Sequence, residues 1–77
     1  MQVCVTLTRN GGVGPVVRVF CDAEAASRHL EQVAAEWGIA PEAEHVDAGH
    51  DPITGRVVWF ATETAECRIE GPLLVEG

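Results

Sequence analysis

The chain has 77 residues, five arginines, no lysine and twelve carboxylates, for a net charge of −7. That length allows one domain, with about 60% of the unfolded chain's surface buried on folding. The acidic balance excludes nonspecific binding to nucleic acid or an anionic membrane, both of which need a basic face. A 47% hydrophobic content with two tryptophans excludes disorder.

The first element is a strand over residues 2–9, where Val3, Val5 and Leu7 alternate with Cys4, Thr6 and Thr8. The valine and leucine side is the expected core side. Asn10-Gly11-Gly12-Val13-Gly14-Pro15 is a dense turn signal. Its glycines do not form a phosphate-binding loop, because no Lys-Ser or Lys-Thr follows and the next element is a strand. That strand covers residues 16–21. Val17, Val19 and Cys21 share one face, expected inward, and Val16, Arg18 and Phe20 share the other. The two strands should form an antiparallel hairpin.

Asp22 is a good helix N-cap, and Glu24 in the first turn suits the helix dipole. A helix follows over residues 23–37, with Ala23, Ala26, Leu30, Val33, Ala34 and Trp37 on one stripe. Glu24 and Arg28 form an i,i+4 pair, and Arg28 also reaches Glu31. His29 sits at the margin of the stripe. Gly38 stops the helix and Pro41 forbids its continuation.

A short third strand is expected over residues 43–48, because Asp51-Pro52-Ile53-Thr54-Gly55 is a turn signature that joins neighbouring strands. Residues 56–62, with Val57, Val58, Trp59 and Phe60, form the fourth strand. Residues 66–75 form the last, with Cys67, Ile69, Leu73 and Val75 in phase. Gly71-Pro72 places it at an edge or gives it a bulge. The expected fold is a single α+β domain over residues 1–77, ordered ββαβββ, with one amphipathic helix on one face of an antiparallel sheet.

One helix covers one face, so an apolar helix-free face should remain. It should carry Val16 and Phe20, with Val58 and Phe60 if Val57 and Trp59 point inward, or with Trp59 in the reverse case. Such a patch reads as a dimer or partner interface. The carboxylates Glu42, Glu44 and Asp47 would rim it and steer a basic partner.

The cysteines are Cys4, Cys21 and Cys67, an odd number without Cys-x-x-Cys. A reduced, cytoplasmic setting follows, with Cys21 and Cys67 as core residues and Cys4 on the opposite face of its strand. His45, Asp47, His50 and Asp51 are the one cluster of metal-ligand types, and a solvated loop is the plainer reading. His45, His50 and Asp51 with Cys4 are the only acid, base or nucleophile candidates. No oxyanion-forming turn opens a helix beside them. A non-enzymatic chain without a cofactor is expected.

The layout itself carries a resemblance. A hairpin, then Val19-Phe20-Cys21-Asp22-Ala23-Glu24-Ala25-Ala26 opening a helix, a Trp59-bearing strand and a final Cys67-Arg68-Ile69-Glu70 strand resemble small proteins of bacteriophages and mobile elements. Phage inhibitors of host proteins, such as anti-CRISPR proteins, share this size and acidity. The resemblance implies a protein-binding accessory that docks on a basic, nucleic-acid-handling host complex. It carries over no functional residue. The alternatives are a homodimeric domain that binds a small ligand or metal near residues 45–51, and a structural or assembly component.

Overall fold

Two residues, Cys21 and Asp22, separate the second strand from the helix, and that short connection decides which sheet face the helix covers. The computed structural model describes residues 1–12 and 14–75. Val13, Glu76 and Gly77 lie outside them. The elements are β1 (Gln2–Asn10), β2 (Val16–Phe20), α1 (Ala23–Glu36), β3 (Asp47–His50), β4 (Val57–Ala61) and β5 (Ala65–Leu74). The strands form one antiparallel sheet in the order β2-β1-β5-β4-β3. This is the α+β, ββαβββ fold expected from the sequence. The Cα atoms span only 16 Å in the thinnest direction, which fits one helix layer on one sheet layer.

Asp22 caps α1 as expected, its Oδ1 accepting a hydrogen bond from the Ala25 amide at 2.8 Å. The stripe buries Ala26, Ser27, Leu30, Val33 and Ala34, while Ala23 is exposed. Trp37 is the C-cap, and Gly38 takes the positive φ of 68° that ends the helix. Glu24 pairs with Arg28 at 2.7 Å. Glu31 pairs not with Arg28 but with Arg56, at 3.1 Å, tying the helix to the start of β4.

Val3 is buried as expected, but beyond the register irregularity between Val3 and Val5 the core faces of the first two strands are the reverse of the sequence expectation. Cys4, Thr6 and Thr8 are buried under the helix, while Val17 and Val19 stand in the open. Phe20 is on the helix side, its ring 5.3 Å from that of His29. The chain enters the helix two residues after Phe20, so α1 folds over the face to which Phe20 points. Register then places Cys4 opposite Phe20 and Thr6 opposite Arg18. Small β1 side chains let the Ala26 and Ala34 surface of the helix approach closely. Volume comes from Leu30, Val33, Val46, Val57, Phe60 and Cys67, with Trp37, Ile39 and Ala43 around them.

In β4, both Val57 and Phe60 are buried while Trp59 is exposed. Simple alternation would put Val57 with Trp59. The register slips between Gly49 and His50, so Val57 and Val58 together oppose His50, and a bulge of this kind turns adjacent side chains to one side. Pairing of β4 with β5 covers only Trp59–Ala61. The Val57 carbonyl instead accepts the Ser27 hydroxyl at 2.6 Å, which explains a buried serine in the helix stripe. β5 is a central strand, and Gly71-Pro72 is accommodated by a register irregularity opposite Val3 and Val5. A Cβ at Gly71 would stand 2.9 Å from the Val3 carbonyl oxygen, so β1 and β5 approach closely there only because residue 71 is glycine. The third strand begins at Asp47, later than the sequence suggests, because residues 39–46 instead seal the core with Ile39, Ala43 and Val46.

Candidate interaction surface

The pairing registers map the helix-free face row by row. One row runs Gly49, Trp59, Arg68, Leu7, Val17 across all five strands. A second runs Asp47, Ala61, Glu66, Arg9, and a third joins Glu70, Val5 and Val19. Val17, Val19 and Trp59 are 55%, 63% and 42% exposed. Val5 and Leu7 are partly buried beside them. A β-carbon on Gly49 would overlap the Nε1, Cδ1 and Cε2 atoms of Trp59, so the indole lies flat across that glycine. This cross-strand pair holds the aromatic ring in place on an otherwise bare part of the sheet.

Charges on this face cancel locally. Glu66 bonds Arg9 at 3.2 Å and faces Arg68 at 3.7 Å, and Arg68 bonds Glu70 at 3.1 Å. Each of these half-exposed pairs is worth at most about 1 kcal/mol. Their role is to leave a neutral ladder between two apolar zones, Trp59 on one side and the valine–leucine group on the other. Leu7, Thr8, Arg9, Pro15, Glu66 and Arg68 line a shallow basin of about 240 Å³ here.

Of the interface residues expected from sequence, Trp59 alone lies exposed on the open face among the hydrophobic ones. Phe60 is fully buried beneath the helix. Val58 lines a cleft on the helix side, Phe20 stacks on His29, and Val16 borders Trp37 near the hairpin tip. Val5, Leu7, Val17 and Val19 take their place. The brevity of the Cys21-Asp22 connection was the signal that could have found them. Asp47 is exposed at the margin of the open face, opposite Ala61. Glu42 and Glu44 are exposed in the segment leading into β3.

The acid is unevenly placed. Among the described residues, Arg9, Arg28, Arg56 and Arg68 are ion-paired, while Asp22, Glu36, Glu42, Glu44, Asp47, Asp51 and Glu63 form no ion pair. Four of these seven, Glu36, Glu42, Glu44 and Asp47, lie between the last turn of α1 and the start of β3. No basic residue occupies that last turn, where the helix dipole is itself negative. The negative pole of the molecule therefore lies on the chain leading into β3.

The His45–Asp51 region does not close into a metal site. Among the described residues no three His, Cys, Asp or Glu side chains converge to hold an ion. Asp51 Oδ1 instead accepts the Ile53 and Thr54 amides, at 2.7 and 3.1 Å, and so builds its own turn. His45, Asp47 and His50 are exposed.

Cys67 is buried as expected, but Cys4 and Cys21 change places. Cys4 and Cys67 are buried and Cys21 is exposed, because the helix covers the Cys4 face of β1. Burial pushes the Cys67 thiol up to about 11, which makes it inert at neutral pH. Cys4 forms part of the wall of a cleft of about 360 Å³ between the start of β4, β5 and the first turns of the helix. Ser27, Asp51, Arg56, Val58 and Ile69 also line it, and no histidine does. Of the acid or base candidates read from the sequence, Asp51 lines this cleft with Cys4, whereas His45 and His50 do not. No helix is long and apolar enough to cross a membrane among the described residues. No family model matches this chain, and neither a curated protein nor a solved structure is found to match it.

Proposed function

We propose that this chain is a non-enzymatic docking module that engages a basic protein surface through the open face of its sheet. The observation that carries the reading is Trp59, held across Gly49 and 42% exposed on a face it shares with Val5, Leu7, Val17 and Val19. With a tryptophan side chain of roughly 250 Å², that exposure leaves roughly 100 Å² to cover, worth about 2–3 kcal/mol at about 25 cal/mol per Å². This is the scale of an interface hot spot. The surrounding ion pairs are neutral as a group, so they add register more than affinity. Glu42, Glu44 and Asp47 supply unneutralised charge at one margin, suited to steering a cationic partner. A nucleic-acid-handling protein is the partner class that both the acidity and the phage-like layout favour.

The test compares wild type, Trp59→Ala and Glu42→Lys/Glu44→Lys as baits, each checked for folding by circular dichroism. A basic partner should bind wild type and be competed by duplex DNA. Trp59→Ala should weaken binding by about 30–100-fold, following 1.4 kcal/mol per tenfold. The lysine pair should slow association at low salt and matter little at high salt. Binding unaffected by Trp59→Ala in a folded protein would overturn the assignment of this face.

A further inference from the structure

The outer edge of a sheet presents unpaired amide and carbonyl groups that template pairing with another chain. Natural edges are blunted by lysine, proline, bulges, inward charge or extreme shortness. This sheet has three free margins, and two are blunted. β3 has only four residues, with Asp47 and His50 at its ends. β5 beyond Ile69 pairs only with β1, and it carries Pro72 and a register irregularity. β2 has no bulge and no proline, and its single charge, Arg18, is exposed on the helix side. Its five residues, Val-Val-Arg-Val-Phe, follow β1 in unbroken register. It contains no lysine, proline or carboxylate, and Val16, Val17 and Val19 are 48–63% exposed.

We infer that β2 is a self-association edge, on which a second copy of this chain pairs its own β2 antiparallel to form one ten-stranded sheet. The sequence of β2 is complementary to itself in one register. A two-fold axis normal to the sheet keeps the open faces on the same side, so it can centre on Val17, Arg18 or Val19. Centred on Arg18, it sets two guanidinium groups against each other. Centred on Val17, it leaves Arg18 against Val16 and brings Pro15, which has no amide hydrogen, into the ladder opposite Val19. Centred on Val19, it sets valine on valine and Val17 on Cys21 across the open face. On the helix side it then places each Arg18 beside the partner's Phe20 ring, a cation–π arrangement formed twice. Only this last register has neither like charges opposed nor proline in the ladder.

β2 is also a strand without a carboxylate in a chain of net charge −7. It is a place where two copies can meet with little local repulsion. Long-range repulsion remains, so added salt should favour the dimer. Pairing would join the Val5, Leu7, Val17 and Val19 groups of both copies into one apolar strip. The inference does not rest on the docking function, and Trp59→Ala should leave the dimer intact.

Sedimentation equilibrium of the full chain over a range of concentration and salt tests it first. Wild type and Trp59→Ala should approach twice the chain mass, whereas Val17→Lys/Val19→Lys should remain at one chain mass with an unchanged far-ultraviolet spectrum. Register is then read in a Cys21→Ala background by mild oxidation of Val17→Cys, Arg18→Cys and Val19→Cys. Val19→Cys should give the disulfide-linked dimer and the other two little of it. Wild type sedimenting as a single chain under all conditions would overturn the proposal, as would preferential cross-linking of Arg18→Cys or Val17→Cys.

Discussion

Replacing Thr6 with valine should stabilise this protein. Thr6 is fully buried in β1, between Arg18 of β2 and Ile69 of β5, and its hydroxyl has no hydrogen-bond partner. Burying an unsatisfied hydroxyl costs roughly 1–3 kcal/mol in proteins. Valine has nearly the same shape and the same β-branching, so the strand backbone and rotamer are undisturbed. It also adds a buried methyl group, worth about 0.8 kcal/mol. Allowing for imperfect fit, Thr6→Val should raise the unfolding free energy by about 1–2 kcal/mol. At this chain length each kcal/mol moves Tm by about 4–8 °C. Urea unfolding followed by far-ultraviolet circular dichroism measures the change, with a constant m-value showing that the effect is on stability. Thr8→Val is the control, because the Thr8 hydroxyl donates to the Val16 carbonyl at 3.4 Å and its loss should offset the gain. A fall in stability of more than about half a kcal/mol for Thr6→Val would refute the reasoning and require a partner for its oxygen.

Leu30→Ala removes a fully buried side chain from the centre of the helix stripe and should cost about 2–5 kcal/mol in a urea melt, enough to approach global unfolding at this size. Gly49→Ala must displace the Trp59 indole, so the tryptophan emission should shift to the red while the far-ultraviolet spectrum is retained. His29 is held below the ordinary histidine value, first by burial and then by Arg18. Its neutral form is therefore the folded form, and the unfolded chain takes up the proton first as pH falls. Stability from this group is complete above about pH 6.5 and declines as pH drops from there through the lower folded value. His29→Gln should flatten the melting-temperature profile over that acidic window, and an unchanged profile would remove His29 from the account.

Much of the fold was legible because its signals are local. Asp22 caps a helix and Gly38 ends one through bonds and dihedral angles within a few residues. Asp51 and Gly55 close their turn in the same way, with the Gly55 amide donating to the Asp51 carbonyl at 2.8 Å. Element order, the single helix and an uncovered sheet face all follow from such punctuation and from apolar spacing. The faces of the strands did not follow. Alternation in β1 separates Val5 and Leu7 from Thr6 and Thr8, but cannot say which set meets the helix. The valines were the natural guess, since burial of apolar surface drives folding. The tertiary structure decided otherwise, because a connection of only two residues swings α1 over the Phe20 side of β2. Phe60, Leu30 and Val57 then fill the core without them. Likewise the bulge opposite His50 turns Val57 inward while Trp59 remains outside, which no period-two reading of the strand contains. The sequence by itself determined which elements form and that one face stays bare. The packing of one element on another determined which residues that face displays, because inward and outward are properties of a layer and not of a strand.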